Sequence, residues 1–317
     1  MALGGLMCKR WGTLLLAGAA VALTATPGFA ADLSLKDTPA AAPTPDWDIA
    51  FGSYAATDYI FRGISQSARE PSVSSYSELR YNLKPDLQLY FGSSGESIDF
   101  PNRAAAEVDF YAGVRPTFGK LALDFGGWYY WYPGGREYNG LSGPTSCTNG
   151  ANKLVGQVCN VYEADLSFWE AYGKAAYTVN DSLTVGANVF YSPSWLNEGA
   201  DGTYASGTAK LTLPTANYLP KDIGAFLSGE FGHYWFGQTN SFYGNVNLPE
   251  YNTWNAGISF TYKVWTLDFR YYDTDLSKGD CNTLTSDHTE TNGQSNWCGS
   301  AFVFKASVDL TANTNLK

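Results

Sequence analysis

Glu107 and Asp109 are the nearest thing in this chain to an acid–base pair, with Arg115 following at even spacing. Glycosidic hydrolysis takes two carboxylates that flank the scissile bond in a cleft. Acids at i and i+2 of an extended chain instead share one face of a single strand, and Arg115 shares it too. Nothing else in the sequence completes a catalytic set around them, so they read as the lining of an interior. His233 is one of two histidines. A serine–histidine pair on the outer surface of a membrane protein would suit phospholipid hydrolysis, but no particular serine accompanies His233. Its parity with Phe231 and Trp235 makes it an interfacial side chain. GxSxG, HExxH, Walker and dinucleotide fingerprints are absent. The expectation is a protein that is not an enzyme and that carries no cofactor and no metal.

The same parity gathers a larger set of ionisable groups. Arg62, Glu78, Arg80, Glu107, Asp109, Arg115, Asp124, Glu170, Lys174, Lys210, Glu230, Asp268, Arg270 and Lys305 alternate with apolar neighbours. All fourteen are therefore expected on one polar face. Two readings of that face remain open: a charged lining that selects permeants, or opposite charges that pair across strands and plug a narrow interior.

The elements that would position these groups are strands. In Leu121–Pro133, LALDFGGWYYWYP, residues Leu121, Leu123, Phe125, Tyr129 and Trp131 fall on one side of an extended chain. Asp124, Gly126, Trp128, Tyr130 and Tyr132 fall on the other. The pattern predicts twelve strands, over 47–65, 73–82, 87–96, 106–116, 121–132, 162–179, 182–191, 204–213, 223–236, 251–262, 265–273 and 300–310. Tight turns at 83–86, 117–120, Asn180–Asp181 and Lys263–Val264 alternate with longer segments at 66–72, 97–105, 133–161, 192–203, 237–250 and 274–299. Only 214–222 is oversized for its side. A transmembrane up-and-down antiparallel β-barrel alternates in this way, whereas a Greek-key sandwich has no reason to. Aromatic clusters at Tyr59 and Phe61, Trp128–Tyr132, Tyr234–Phe236 and Tyr271–Tyr272 lie where strands enter long loops, and are expected to form a girdle. A thinner set, Tyr81, Phe118, Tyr177, Tyr262 and Trp265, lies near the tight turns.

Residues 1–30 read as a cleaved signal peptide: Lys9 and Arg10, an apolar core at Leu14–Leu23, and small residues before Ala31. Loss of those two cations moves the formal charge from −10 to −12. That acidity argues against nucleic acid as a partner, and it leans the interior slightly toward cations. Ala- and Pro-rich 31–46 is a flexible periplasmic lead-in, 47–310 the barrel and 311–317 a C-terminal tail. Cys147 and Cys159 share one expected loop, and Cys281 and Cys298 another. Of three possible connectivities, pairing within each loop is the simplest.

The run Asp58–Ser67, DYIFRGISQS, resembles the opening signature of the TorF-type porins, a proteobacterial outer-membrane family. Glu107–Gly113 (EVDFYAG), Tyr129–Gly134 (YYWYPG), Tyr191-Ser192-Pro193 and Asp273-Thr274-Asp275 are similar to its later landmarks. The resemblance spans roughly Trp47 to Leu310. It implies a barrel in the Gram-negative outer membrane with a pore role: passive diffusion of small hydrophilic solutes through a charged lumen. Expected partners are outer-membrane lipid and lipopolysaccharide, periplasmic chaperones, the barrel-assembly machinery and the solutes themselves. The alternatives are a barrel enzyme acting on envelope lipids and a non-conducting structural or adhesive barrel.

Overall fold

The computed structural model describes residues 46–141, 159–215, 218–290 and 293–316. The signal segment 1–30, the lead-in apart from Asp46, and Cys147 lie outside them. Twelve antiparallel strands close into one barrel. They are β1 (Trp47–Ala56), β2 (Ser72–Lys84), β3 (Leu87–Glu96), β4 (Glu107–Phe118), β5 (Leu121–Trp131) and β6 (Phe168–Thr178), then β7 (Leu183–Ser192), β8 (Gly202–Thr212), β9 (Ile223–Phe236), β10 (Tyr251–Tyr262), β11 (Trp265–Thr274) and β12 (Ala301–Thr311). Each strand pairs with its neighbours in sequence, and the ladder from Ala50↔Thr311 to Ala56↔Lys305 joins β1 to β12. Closure leaves no sheet edge with unpaired N–H and C=O groups, which is what lets strands cross a bilayer.

Alternation decides what faces where. On β5, Phe125, Tyr129 and Trp131 are exposed while Asp124, Trp128 and Tyr130 are buried. Around the wall Phe91 is 56% exposed, Phe231 58% and Phe269 50%. An apolar belt of this extent is unfavourable against water and favourable against lipid. Trp47, Phe118, Tyr177 and Trp265 mark its short-turn rim, and Tyr129, Trp131, Trp169, Trp235 and Phe302 its long-loop rim. Inside, tyrosine rings lie across glycines of adjoining strands: Tyr111 over Gly92, Tyr90 over Gly113, Tyr172 over Gly126 and Tyr204 over Gly232. Only the absence of a Cβ lets the rings lie so close.

Three expectations need correction. The run 47–65 is not one strand. β1 stops at Ala56, and Ile60–Phe61 and Ile64–Ser65 form a separate small hairpin. Tyr59 and Phe61 consequently leave the girdle, with Tyr59 only 5% exposed and Phe61 packed against the buried cluster, and Trp128, Tyr130, Tyr132, Tyr234 and Tyr272, expected in it too, are buried inside because their parity is inward. The run 162–179 enters the wall only at Phe168, because Cys159–Tyr162 pairs with Tyr138–Leu141 in a hairpin of its own. The long-loop end also carries helix α1 (Lys278–Thr285). The Cys281–Cys298 disulfide forms as expected. The expected Cys147–Cys159 bridge involves Cys147, which lies outside the described residues.

Candidate functional site

The site is built around the loop between β1 and β2. The hairpin Ile60–Ser65 turns on Arg62 (φ 46°) and Gly63 (φ 86°), both left-handed, as a two-residue hairpin turn requires. Glycine takes that conformation freely, whereas an arginine does so at some cost in strain. Interactions inside the barrel hold it there. The Arg62 guanidinium donates to both Glu170 oxygens (2.7 and 2.8 Å) and to the Tyr234 hydroxyl (2.8 Å). It also lies 4.5–5.0 Å from the ring centroids of Phe61, Phe190, Tyr204 and Tyr234. Tyr130 donates to Glu170 (3.0 Å), and Tyr251 donates to the Arg62 carbonyl (2.9 Å). Arg62 is 3% exposed and Glu170 0%. A planar, bidentate pair in a dry aromatic cage is the geometry in which arginine binds carboxylate most strongly.

The stem of the hairpin uses the other polar residues of Asp58–Ser67. Asp58 accepts from Ser65 (2.6 Å), Ser67 (3.1 Å) and Arg69 (3.1 Å), and Ser67 Oγ accepts the Tyr59 N–H (3.0 Å). Outer loops close over it: the Ser65 N–H donates to the Trp297 carbonyl (2.9 Å), and the Asp99 N–H to the Gln66 carbonyl (2.9 Å). Between hairpin and cap remains a cavity of about 30 Å³, bordered by Phe61, Phe100, Tyr132, Trp195 and Leu284. That is room for one or two water molecules.

Beside the stem lie three buried carboxylates, Glu96, Glu107 and Asp109, whose nearest oxygens all fall within 4.8 Å of one another. Glu107 accepts from Tyr59 (2.7 Å) and Tyr132 (2.9 Å). Ser74 donates to Glu96 (3.0 Å) and Ser94 to Asp109 (3.0 Å). Arg115, expected beside Glu107 and Asp109, sits further along β4 in a different network. It grips Glu78 with both Nη atoms (2.7 and 2.9 Å) and reaches Asp124 (3.4 Å), while Arg80 binds the same Glu78. Tyr90 donates to Asp124 and touches the Tyr172 hydroxyl. A further network joins Arg270 to Asp268 (3.0 Å), Asn255 (2.7 Å) and Ser228 (2.7 Å).

All fourteen charged side chains singled out in the sequence lie on the inward-facing register of the wall or, for Arg62, on the folded-in turn. Ten are buried, and of the six carboxylates among them Glu107 and Asp109 have no arginine or lysine partner among the described residues. The other four, Lys174, Lys210, Glu230 and Lys305, are half-buried. Lys174 lies over Tyr172 (4.5 Å), Lys210 over Phe226 (3.9 Å) and Lys305 over Tyr54 (5.6 Å), and Tyr204 donates to Glu230 (2.9 Å). The interior is thus tightly filled around the Arg62 hairpin, and these four are the least buried of the fourteen. Sequence reasoning missed Glu96 and the inward tyrosines. Glu96 shares the parity of Tyr90 and Ser94, so alternation carried one step further would have found it.

His233 lies on the outer surface near the long-loop rim. Its Nδ1 is 2.9 Å from Asn252 Oδ1 and its Nε2 3.8 Å from Glu250. Among the described residues no serine hydrogen-bonds to it.

The chain belongs to the family described as "Bacterial protein of unknown function (Gcw_chp)", which it matches over residues 40–305. No curated protein sequence matches it. Solved structures similar to it are outer-membrane barrels. The NanC porin is 9% identical (83% of this chain, 100% of that one, TM-score 0.44). The translocator domain of the autotransporter NalP from Neisseria meningitidis is 13% identical (83% and 88%, TM-score 0.40). LpxR from Salmonella typhimurium is 10% identical (82% and 99%, TM-score 0.40). Likeness at this level concerns the fold alone. It also corrects one expectation: outer-membrane barrel enzymes, LpxR among them, share this architecture, so the exclusion of enzymatic activity is withdrawn.

Proposed function

We propose that the protein is a porin-like channel of the Gram-negative outer membrane for small hydrophilic solutes, held shut at rest by the Ile60–Ser65 hairpin. Residues 1–30 would direct export, and chaperones and the assembly machinery would insert the barrel with its long loops outward, among lipid and lipopolysaccharide. Solutes would then diffuse passively past the charged lining once the hairpin withdraws. The resemblance of Asp58–Ser67 to the TorF-type porins supports this reading.

The observation that carries it is the kind of contact that keeps the hairpin in place. It pairs with itself, and the backbone–backbone bonds that the hairpin and the adjoining Gln66 make to other loops go to Trp297 and Asp99 rather than to a barrel ladder, the one bond from the wall to its backbone among the described residues coming from the Tyr251 side chain. Side-chain contacts, above all Arg62–Glu170, hold it against the wall. It can leave without breaking one strand–strand hydrogen bond of the barrel. Lys174, Lys210, Glu230 and Lys305 are only half-buried on the inward face, where permeating solutes would meet them. Planar-bilayer recording of the refolded protein tests the proposal. Wild type should be silent with rare brief steps, and Arg62→Ala should raise the open probability at least tenfold. If neither protein conducts, the channel reading is wrong.

A further inference from the structure

Glu96, Glu107 and Asp109 place up to three negative charges in one buried pocket of the wall, at the long-loop ends of β3 and β4. No arginine or lysine ion-pairs with any of them among the described residues, although the other buried carboxylates of the interior, Glu78, Asp124, Glu170 and Asp268, each have an arginine. Four of the six carboxylate oxygens accept from hydroxyls of Tyr59, Tyr132, Ser74 and Ser94, which fixes the orientation of all three groups. The remaining two, Glu96 Oε2 and Asp109 Oδ1, are fully buried and have no hydrogen-bond partner among the described residues. The unpartnered Trp128 indole N–H borders Asp109 and would at most satisfy one of them. A buried carboxylate oxygen without a proton donor or a cation is costly, several kcal/mol for an ionised group.

We propose that this pocket binds one calcium ion, held by Glu96, Glu107 and Asp109. The donors are all oxygen, and the pocket offers no imidazole or thiolate, which selects a hard divalent cation. Coordination geometry selects between the two abundant ones. Calcium bonds at 2.3–2.6 Å, spans opposed oxygens up to ~5 Å apart and accepts irregular geometry, whereas magnesium demands near-ideal octahedral geometry and gives up its waters reluctantly, which a dry carboxylate pocket disfavours. The donors here all lie within 4.8 Å of one another, inside the span that calcium bridges. The hydroxyls of Tyr59, Tyr132, Ser74 and Ser94 take the role of the outer hydrogen bonds that orient metal ligands. Tyr59 belongs to the stem of the hairpin, so the ion would also anchor that stem to the wall. The site itself does not depend on the barrel being a channel.

The test uses full-length mature protein refolded in detergent with EDTA, freed of chelator and titrated calorimetrically with CaCl2. One saturable site is expected. Glu96→Gln and Asp109→Asn should each weaken it at least tenfold, and Asp86→Asn, in an exposed turn, should not. Magnesium should bind at least tenfold more weakly. Folding of each variant is checked by its shift between boiled and unboiled gel lanes. Terbium in place of calcium should give emission sensitised by Trp128 in wild type, lost in Asp109→Asn. No saturable calcium binding by wild type, or binding and terbium emission unchanged in both acid variants, would overturn the proposal. Equal affinity for magnesium would overturn the choice of calcium.

Discussion

Removal of the Arg62 side chain should release the hairpin from the barrel without unfolding the wall. Arg62→Ala leaves Glu170 buried with two tyrosine hydroxyls and no cation. Deleting one partner of a buried ion pair costs ~3–5 kcal/mol, chiefly because the survivor stays charged and dry. Alanine inherits the left-handed backbone, so no strain is relieved in compensation. The contacts with four aromatic rings are lost as well, so the lower end of the range is conservative. At tenfold per 1.4 kcal/mol, the opening equilibrium of the hairpin rises ~10²- to 10³-fold or more, up to complete loss of protection. Two amides report it directly. Ser65 donates to Trp297 and Asp99 donates to Gln66, and neither bond belongs to the barrel ladder. Hydrogen exchange by mass spectrometry should show both deprotected by that factor while amides of β4 and β5 hold their wild-type rates. Adding Glu170→Gln should recover ~1–3 kcal/mol, as coupled neighbours do. Unchanged protection of Ser65 and Asp99 in Arg62→Ala would refute the claim that this pair secures the hairpin.

Other consequences follow from the packing and the loops. Cys298→Ser opens a ring with a sequence separation of 17, worth ~3 kcal/mol by chain entropy, so exchange across 275–300 should accelerate with the barrel intact. Gly113→Ala places a methyl against the Tyr90 ring and the Phe125 carbonyl, and should lower barrel stability by ~1–3 kcal/mol in denaturant titrations. In the loop cap, burial, reinforced by nearby Glu163, pushes the Glu198 carboxyl well above its ordinary range. The folded cap therefore holds that proton more tightly than the unfolded chain does. Its contribution is complete below the unfolded value of ~4.3 and is lost as pH rises through the higher folded value. Protection of the Asn240 amide, which donates to the Glu198 carbonyl, should fall with rising pH in wild type. In Glu198→Gln it should stay flat.

The wall was readable from sequence because alternation is a local property. Phe125 against Asp124, or Phe269 against Asp268, assigns each residue to lipid or interior without knowledge of any other strand. The hairpin was not readable in the same way. Ile60, Phe61 and Ile64 continue an apolar pattern, and a segment folded inside a barrel is as apolar as one facing lipid. Tyrosine carries the same ambiguity: Tyr129 and Tyr130 are neighbours of one type, yet the first meets the outer rim and the second donates to Glu170. Pairing of the interior charges depends on the stagger of the strands around the barrel and on where the loop folds. Arg62 and Glu170, 108 residues apart, meet only because both features bring them to one height. For the same reason Arg115 met Glu78 and Asp124 rather than the two acids that share its strand.

The central claim is that the Ile60–Ser65 hairpin shuts a pathway through this barrel. Its most direct measurement is sugar uptake by proteoliposomes containing either the intact protein or a form in which Ile60–Ser65 is replaced by a short glycine–serine linker. Swelling in isotonic arabinose should be slow for the intact protein and at least tenfold faster for the replacement, with both forms showing the folded gel shift. If folded barrels without the hairpin swell no faster than the intact protein, the hairpin closes nothing.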